Sequence, residues 1–262
     1  MLIKSTSLLG SMRITLDLTK TLEENAQRFF EAAKKARKKA KGAEKTIAEW
    51  EQKLATEETT QGPAPKRVRR KKAWYEKFRW CFASDGTLLV GGRDASSNEA
   101  LIKKHAEKGD LVFHTDMAGS PFVLVKGKQP TAEALREAAQ FCASFGRAWK
   151  NGLASLEVFH VAPEQVTKEA NTGEFLGKGA FVIRGKTTYY KARIAVAVGL
   201  DREGRVMSGP PAAVSAHCER VVEVFQGNQK TSDVAKELQR RLGGGEIDDF
   251  VAALPAGGCK LK

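Results

Sequence analysis

Residues 74–125 read WYEKFRWCFASDGTLLVGGRDASSNEALIKKHAEKGDLVFHTDMAGSPFVLV. Phe78, Trp80 and Phe82 alternate with Lys77, Arg79 and Cys81, the period of a strand with one face in a core and the other free. Ser84-Asp85-Gly86-Thr87 supplies turn chemistry, and Leu88–Gly91 reads as the return strand of a hairpin. Gly91-Gly92-Arg93-Asp94 then runs into Ser96-Ser97-Asn98-Glu99, where Ser96 and Glu99 fit a capping box ahead of a helix over Ala100–Glu107. A glycine turn, free helix N–H groups and Arg93 fit an anion site, although an ordinary capped β-to-α turn is the more common use of such a pattern. Leu111–His114 and Phe122–Val125 form a second strand pair. His114 and Asp116 share a face if the first of these strands continues to residue 116.

Downstream, Thr131–Lys150 is predicted as one amphipathic helix, capped by Thr131, with Ala134, Leu135, Ala138, Phe141, Cys142, Phe145 and Trp149 as its buried stripe. Leu156–Val161 is a short strand. Gly173, Gly177 and Gly179 surround Lys178 ahead of a strand over Ala180–Arg184, a glycine-rich loop without the spacing of a nucleotide-binding motif. Ala192–Leu200 reads as a continuous central strand and Arg220–Phe225 as another. Ser232 is the expected cap of a helix that stops at Gly243, followed by a short helix over Glu246–Leu254.

Upstream, residues 1–18 form a lead-in in which Ile14, Leu16 and Leu18 alternate. Thr21 and Glu24 fit a capping box. Leu22, Ala26, Phe29, Ala33, Ala36, Ala40, Ala43, Ile47, Trp50 and Leu54 then follow at four-three spacing, a seam along roughly 50 Å of helix. Such a seam needs a returning helix or another chain to bury it. Glu57–Pro65 is a linker or hairpin tip, and Lys66, Arg67, Arg69, Arg70, Lys71 and Lys72 follow it directly.

The chain has 262 residues, 42% of them hydrophobic, enough for a sizeable core and an extension. Its 44 basic and 31 acidic side chains leave +13, which favours a polyanionic partner over an acidic small substrate. No apolar run approaches the roughly 20 residues that span a bilayer, so no membrane partner is expected. Cys81, Cys142, Cys218 and Cys259 are far apart with no C-x-x-C pair, which points to reduced cytoplasmic thiols rather than zinc.

Four blocks in order, WYEKFRW at 74–80, GGRDASSNE at 91–99, FHTDMAGS at 113–120 and TGEFLGKGAFVIRGK at 172–186, resemble the RNA-binding (R) domain of the NFACT family of ribosome-quality-control and nuclear-export-mediator factors. LDLTKTLEENAQRFFEAAKKARKK at 16–39 is similar to the start of the coiled coil that precedes that domain in the family, here with a shortened hairpin. The family's large N-terminal domain and helix–hairpin–helix module are expected to have no counterpart here, so its tRNA recruitment and tail elongation are not carried over. The expected fold is α/β (α+β): a mixed β-sheet domain with packed helices behind a long helical arm. Its parts are a lead-in at 1–18, the basic arm at 19–72 with its linker near 57–65, the R-like domain at 73–200, and strands and helices at 201–262 that complete it or are appended.

The resemblance implies a non-catalytic RNA-binding protein that engages ribosomal RNA or tRNA on large ribosomal subunits, with no cofactor and no metal. The candidate RNA-contacting residues are Lys66, Arg67, Arg69, Arg70, Lys71, Lys72, Arg79, Trp80, Arg93, Asn98, His114, Ser120, Lys178, Arg184 and Lys186. Trp74 and Phe78, four apart, read as core residues beside these charges. Two alternatives stand beside this reading. One is an RNA-processing or RNA-modifying enzyme using Asp94, His114 and Asp116, although four histidines without a second ligand cluster favour a hydrogen-bonded structural His114. The other is an adaptor that recruits a helical protein partner, or a second copy, through the alanine seam.

Overall fold

A computed structural model describes residues 3–7, 10–57, 72–127, 129–169 and 176–262. The chain divides into two compact units, Met1–Arg70 and Lys71–Lys262.

The first unit holds an antiparallel hairpin, β1 (Ile3–Ser7) with β2 (Gly10–Ile14), and the helix α1 (Leu22–Glu57). The capping box is made as the sequence predicts: Thr21 N donates to Glu24 Oε2 at 2.8 Å and Glu24 N to Thr21 Oγ1 at 3.2 Å. Asn25 adds a lock that the pattern did not reveal. Its amide accepts from Asp17 N at 2.8 Å and donates to the Asp17 and Thr21 carbonyls, both at 2.9 Å, which buries it at the start of an otherwise exposed helix. Along the seam Leu22, Phe29, Ile47 and Trp50 are all exposed within this unit. The alternation at Ile14, Leu16 and Leu18 is not one strand, because β2 stops at Ile14.

The second unit continues with β3 (Arg79–Phe82), β4 (Leu88–Gly91), α2 (Ala95–His105), β5 (Leu111–His114), β6 (Val123–Val125), α3 (Ala132–Ser144), α4 (Arg147–Lys150), β7 (Ser155–Val161), β8 (Val166–Thr167), β9 (Val182–Ile183) and β10 (Thr188–Arg193). It ends with β11 (Val196–Asp201), β12 (Val206–Gly209), α5 (Pro211–His217), β13 (Cys218–Gln229), α6 (Thr231–Leu242), α7 (Ile247–Ala253) and β14 (Cys259–Lys260). The strands form a six-stranded sheet in the order β10-β7-β5-β6-β4-β3, a four-stranded sheet β12-β11-β13-β14, and the pair β8-β9.

Register explains the layering. Val90, Leu124 and Val112 lie opposite one another across β4, β6 and β5, and so do Leu89, Val125 and Leu111 one position along. The first row packs with Phe78, Leu101 and Ile102 under α2. The second packs with the α3 stripe and the four-stranded sheet. The large sheet is therefore covered on both faces, and the expectation of one free face on the first strand is corrected: Cys81 is fully buried alongside Trp80.

Other expectations fail where distant parts of the chain meet. The predicted helix over 131–150 breaks at Gly146, whose Cα lies so close to Ser120 that an added Cβ would meet its Oγ at 2.9 Å. The predicted strand over 192–200 splits where the chain steps from one sheet to the other, and Ser144 Oγ bonds both the N–H and the carbonyl of Ala195 at 3.2 Å. Residues 180–184 contribute only the two-residue β9, and α6 begins at Thr231 with Lys230 rather than Ser232 as its cap.

One buried charge pair ties α2 to β6. Asp110 accepts from Lys126 Nζ at 2.7 Å and from the N–H groups of Glu107 and Gly127, and both side chains of the pair are largely shielded. Removing the carboxylate leaves the N–H groups of Glu107 and Gly127 without their acceptor and leaves the ammonium to Glu107 and the His105 carbonyl alone. Asp110→Ala is expected to lower unfolding free energy by about 3 kcal/mol, read as a drop in urea midpoint at unchanged slope.

Candidate functional site

Antiparallel pairing brings three segments to one end of the six-stranded sheet. Arg79 pairs with Gly91, Gly91 with Val123 and Val123 with Phe113, so the start of β3, the β4–α2 turn and the β5–β6 loop lie together. The α3–α4 break and residues 178–183 close over them, and the result is a cleft of about 620 Å³. Arg79, Arg93, Arg147, Lys150 and Lys178 line it, together with Asn98, His114, Ser120, Phe122 and Phe181. Asp94 is the one carboxylate among the described lining residues.

Each cation is held differently. Arg79 is only partly exposed; its Nη1 donates to the Leu254 carbonyl at 2.7 Å, and the guanidinium lies 4.9 Å from the Phe145 ring centre. Burial, with the nearby charge of Arg93, pushes its pKa down to about 10, which leaves it a cation at neutral pH. Arg93 Nη2 donates to the Phe78 carbonyl at 3.0 Å. Arg147 N donates to the Gly119 carbonyl at 3.1 Å, and its guanidinium lies over Gly119, where a Cβ would come within 3.0 Å of Nε. Among the described residues, none of the five cations has a carboxylate within ion-pair distance.

The cleft walls are fixed by close approaches that only glycine permits. A Cβ at Gly92 would lie 1.9 Å from Asn98 Oδ1, the atom that accepts Phe122 N at 3.1 Å. Gly179, at φ +77, sits against Ala95 with no room for a Cβ, and its N–H donates to Glu99 Oε2 at 3.2 Å. Lys103 and Lys168 share that carboxylate, which the Lys103 hydrogen bond chiefly holds down at a pKa of about 2.

The β4–α2 turn is a capped turn. Asp94 is the N-cap of α2 and accepts from Ser97 N at 2.8 Å, while Ser97 Oγ accepts from Asp94 N, so helix and box start earlier than the expected Ser96–Glu99 pair. The charge for an anion therefore comes from side chains and not from the helix end. The condition for His114 and Asp116 to share a strand face is not met, because β5 ends at His114. His114 stacks on Phe122 with ring centres 4.0 Å apart, and burial holds its pKa below the usual range. Asp116 accepts from Tyr189 Oη at 3.4 Å.

The cleft thus gathers Arg79, Arg93, Asn98, His114, Ser120 and Lys178 from the sequence-based set. Trp80 does not belong with them. Its ring is 7% exposed, with the Arg205 guanidinium 5.0 Å from its centre, so it has no free face for a base. Ser120 is buried too, bonded to Thr115 Oγ1 at 2.6 Å. Arg184 and Lys186 are exposed outside the lining, and Lys72 pairs with Asp249 at 3.1 Å. Lys66, Arg67, Arg69, Arg70 and Lys71 lie outside the described residues, as does Gly173. Arg147 and Lys150 were missed because an unbroken helix points them away from the stripe; the Phe145-Gly146 dipeptide was the available signal.

A family model described as the NFACT protein RNA binding domain matches residues 77–185, and one described as NFACT N-terminal and middle domains matches residues 4–64. The second match corrects the expectation that this part of the family has no counterpart here. The chain is 38% identical over 204 residues to the archaeal Rqc2 homolog aRqcH of Methanocaldococcus jannaschii, covering 75% of this chain and 30% of that protein. It is 34% identical over 175 residues to the human ribosome quality control complex subunit NEMF, covering 63% of this chain and 16% of the relative. Against ribosome quality control complex subunit 2 of Schizosaccharomyces pombe it is 30% identical over 194 residues, covering 70% and 19%. The matched region thus spans less than a third of the length of each of these relatives.

The tight wall is testable. Gly92→Ala displaces Asn98 from Phe122 N and is expected to cost about 2 kcal/mol or more in a urea titration. Gly177→Ala, with nothing within 4 Å of the added carbon, stays within about 0.5 kcal/mol of the parent.

Proposed function

Because the chain belongs to the NFACT family, we propose that it binds RNA through the cationic cleft of its second unit and does so on large ribosomal subunits, without catalysing a reaction. One observation carries the reading: five cations without carboxylate partners among the described residues converge on a cleft whose described lining, Ala256 apart, falls within the segment matched by the RNA-binding-domain model. Cations so placed exchange their counterions for phosphates, and the +13 of the whole chain acts in the same direction. The names of the relatives supply the setting, ribosome quality control, and ribosomal RNA or tRNA is the ligand that this setting offers. The exposed apolar seam of α1 is a second surface, suited to a helical partner.

The enzymatic alternative receives no support from the geometry. The Asp94 carboxylate caps α2, His114 stacks on Phe122, Asp116 bonds Tyr189, and no third ligand joins the latter two among the described residues.

Co-sedimentation with large ribosomal subunits, empty or carrying peptidyl-tRNA, across a salt series tests the proposal. The logarithm of the binding constant is expected to fall with the logarithm of salt at about 0.7–0.9 per phosphate contacted. Replacing Arg93 and Lys178 together by glutamate is expected to weaken binding by about tenfold or more and to flatten the slope by about two. Binding that ignores both salt and the charge reversals would sink the reading.

A further inference from the structure

The cleft differs from an ordinary basic face in three ways. First, two of its arginines have no ion-pair partner among the described residues. Arg79 is held by backbone carbonyls at Leu254 and Ala252, Arg93 by the carbonyl of Phe78, and the two guanidiniums repel each other without a carboxylate at ion-pair distance among the described residues. An anion that reaches both satisfies donors which the protein leaves over. Second, the site is concave and partly apolar, with Phe122, Phe181, Ile183 and Pro121 among its lining residues, and its roughly 620 Å³ is the size of a small-molecule site. A-form duplexes are read from outside, by 2′-hydroxyl and phosphate contacts across the minor groove, and are too wide to enter such a cleft. Third, one carboxylate stands among these cations: Asp94, whose charge Lys178 favours, gives the lining a hydrogen-bond acceptor.

We propose, building on the RNA-binding reading, that the cleft takes one unpaired nucleotide splayed out of its strand. Its phosphate lies on the Arg79 and Arg93 guanidiniums, and its base lies against the half-buried Phe181 and Ile183, since the Phe122 ring behind them is covered by His114. Arg147 and Lys150 steer the neighbouring phosphates along the rim. Asp94 offers the acceptor for a base amino group or a sugar hydroxyl. The glycines at 92 and 179 keep the two walls at a fixed separation, so the site sorts RNA by whether a base is free to leave its stack.

The test uses the full chain and an RNA hairpin bearing a single photoreactive thiouridine, placed either in the loop or in the paired stem. After irradiation, the loop probe is expected to cross-link to peptides containing residues 114–122 or 178–183, and the stem probe to give about a tenth of that yield or less. Lys178→Ala and Arg93→Ala, both at exposed positions, are expected to lower the loop cross-link at least about fivefold. Phe181→Ala, with the fold checked by circular dichroism, is expected to weaken loop binding by about tenfold. Equal cross-linking of stem and loop, or cross-links confined to other peptides, overturns the inference while leaving RNA binding intact. A hairpin not retained even at low salt overturns both.

Discussion

Burial of the six-stranded sheet on both faces is the constraint from which the rest of the second unit follows. Once Val90, Val112 and Leu124 commit to one side and Leu89 and Val125 to the other, each side needs its own cover. The chain supplies α2 for the first, and α3 with a second sheet for the other. Polar chemistry is thereby driven off the faces and out to the ends of the strands. The connections at one end carry the arginines and glycines, and the cleft forms where those connections converge. Brought together by a register, these cations are held by a scaffold whose interior leaves them no other place.

How much of this was readable in the sequence depended on the range of the interactions involved. Thr21 with Glu24, the hairpin at 79–91 and the stripe of α3 are local patterns, and each appears in the structure close to its expected place. The failures needed information from far away. Nothing within residues 131–150 reveals that Ser120 presses on Gly146, and nothing within 192–200 says that two sheets compete for it. The mistaken cap on α2 is instructive for another reason. Asp94 and Ser97 formed a competing box in the same stretch, and both choices obey the same rule.

The site itself was legible in kind more than in membership. Arg93 and Lys178 stood out as cations beside glycines and Arg79 as a cation among aromatics, and the three do meet. Trp80 stood out as an aromatic beside cations, yet it is spent on the core, where Arg205 lies over its ring and bonds the Tyr75 hydroxyl at 2.9 Å. Composition cannot separate an aromatic that offers a face from one that is covered. Burial decides it, and burial is a property of the assembled sheet.

Arg79 and the two carbonyls that hold it lie 173 and 175 positions apart in the chain. During synthesis the floor of the cleft cannot be set until those late residues have left the ribosome and folded back onto β3. A nascent chain that stops short of them carries the charges of this site without its shape. The cleft therefore takes its full shape only after translation has passed Leu254.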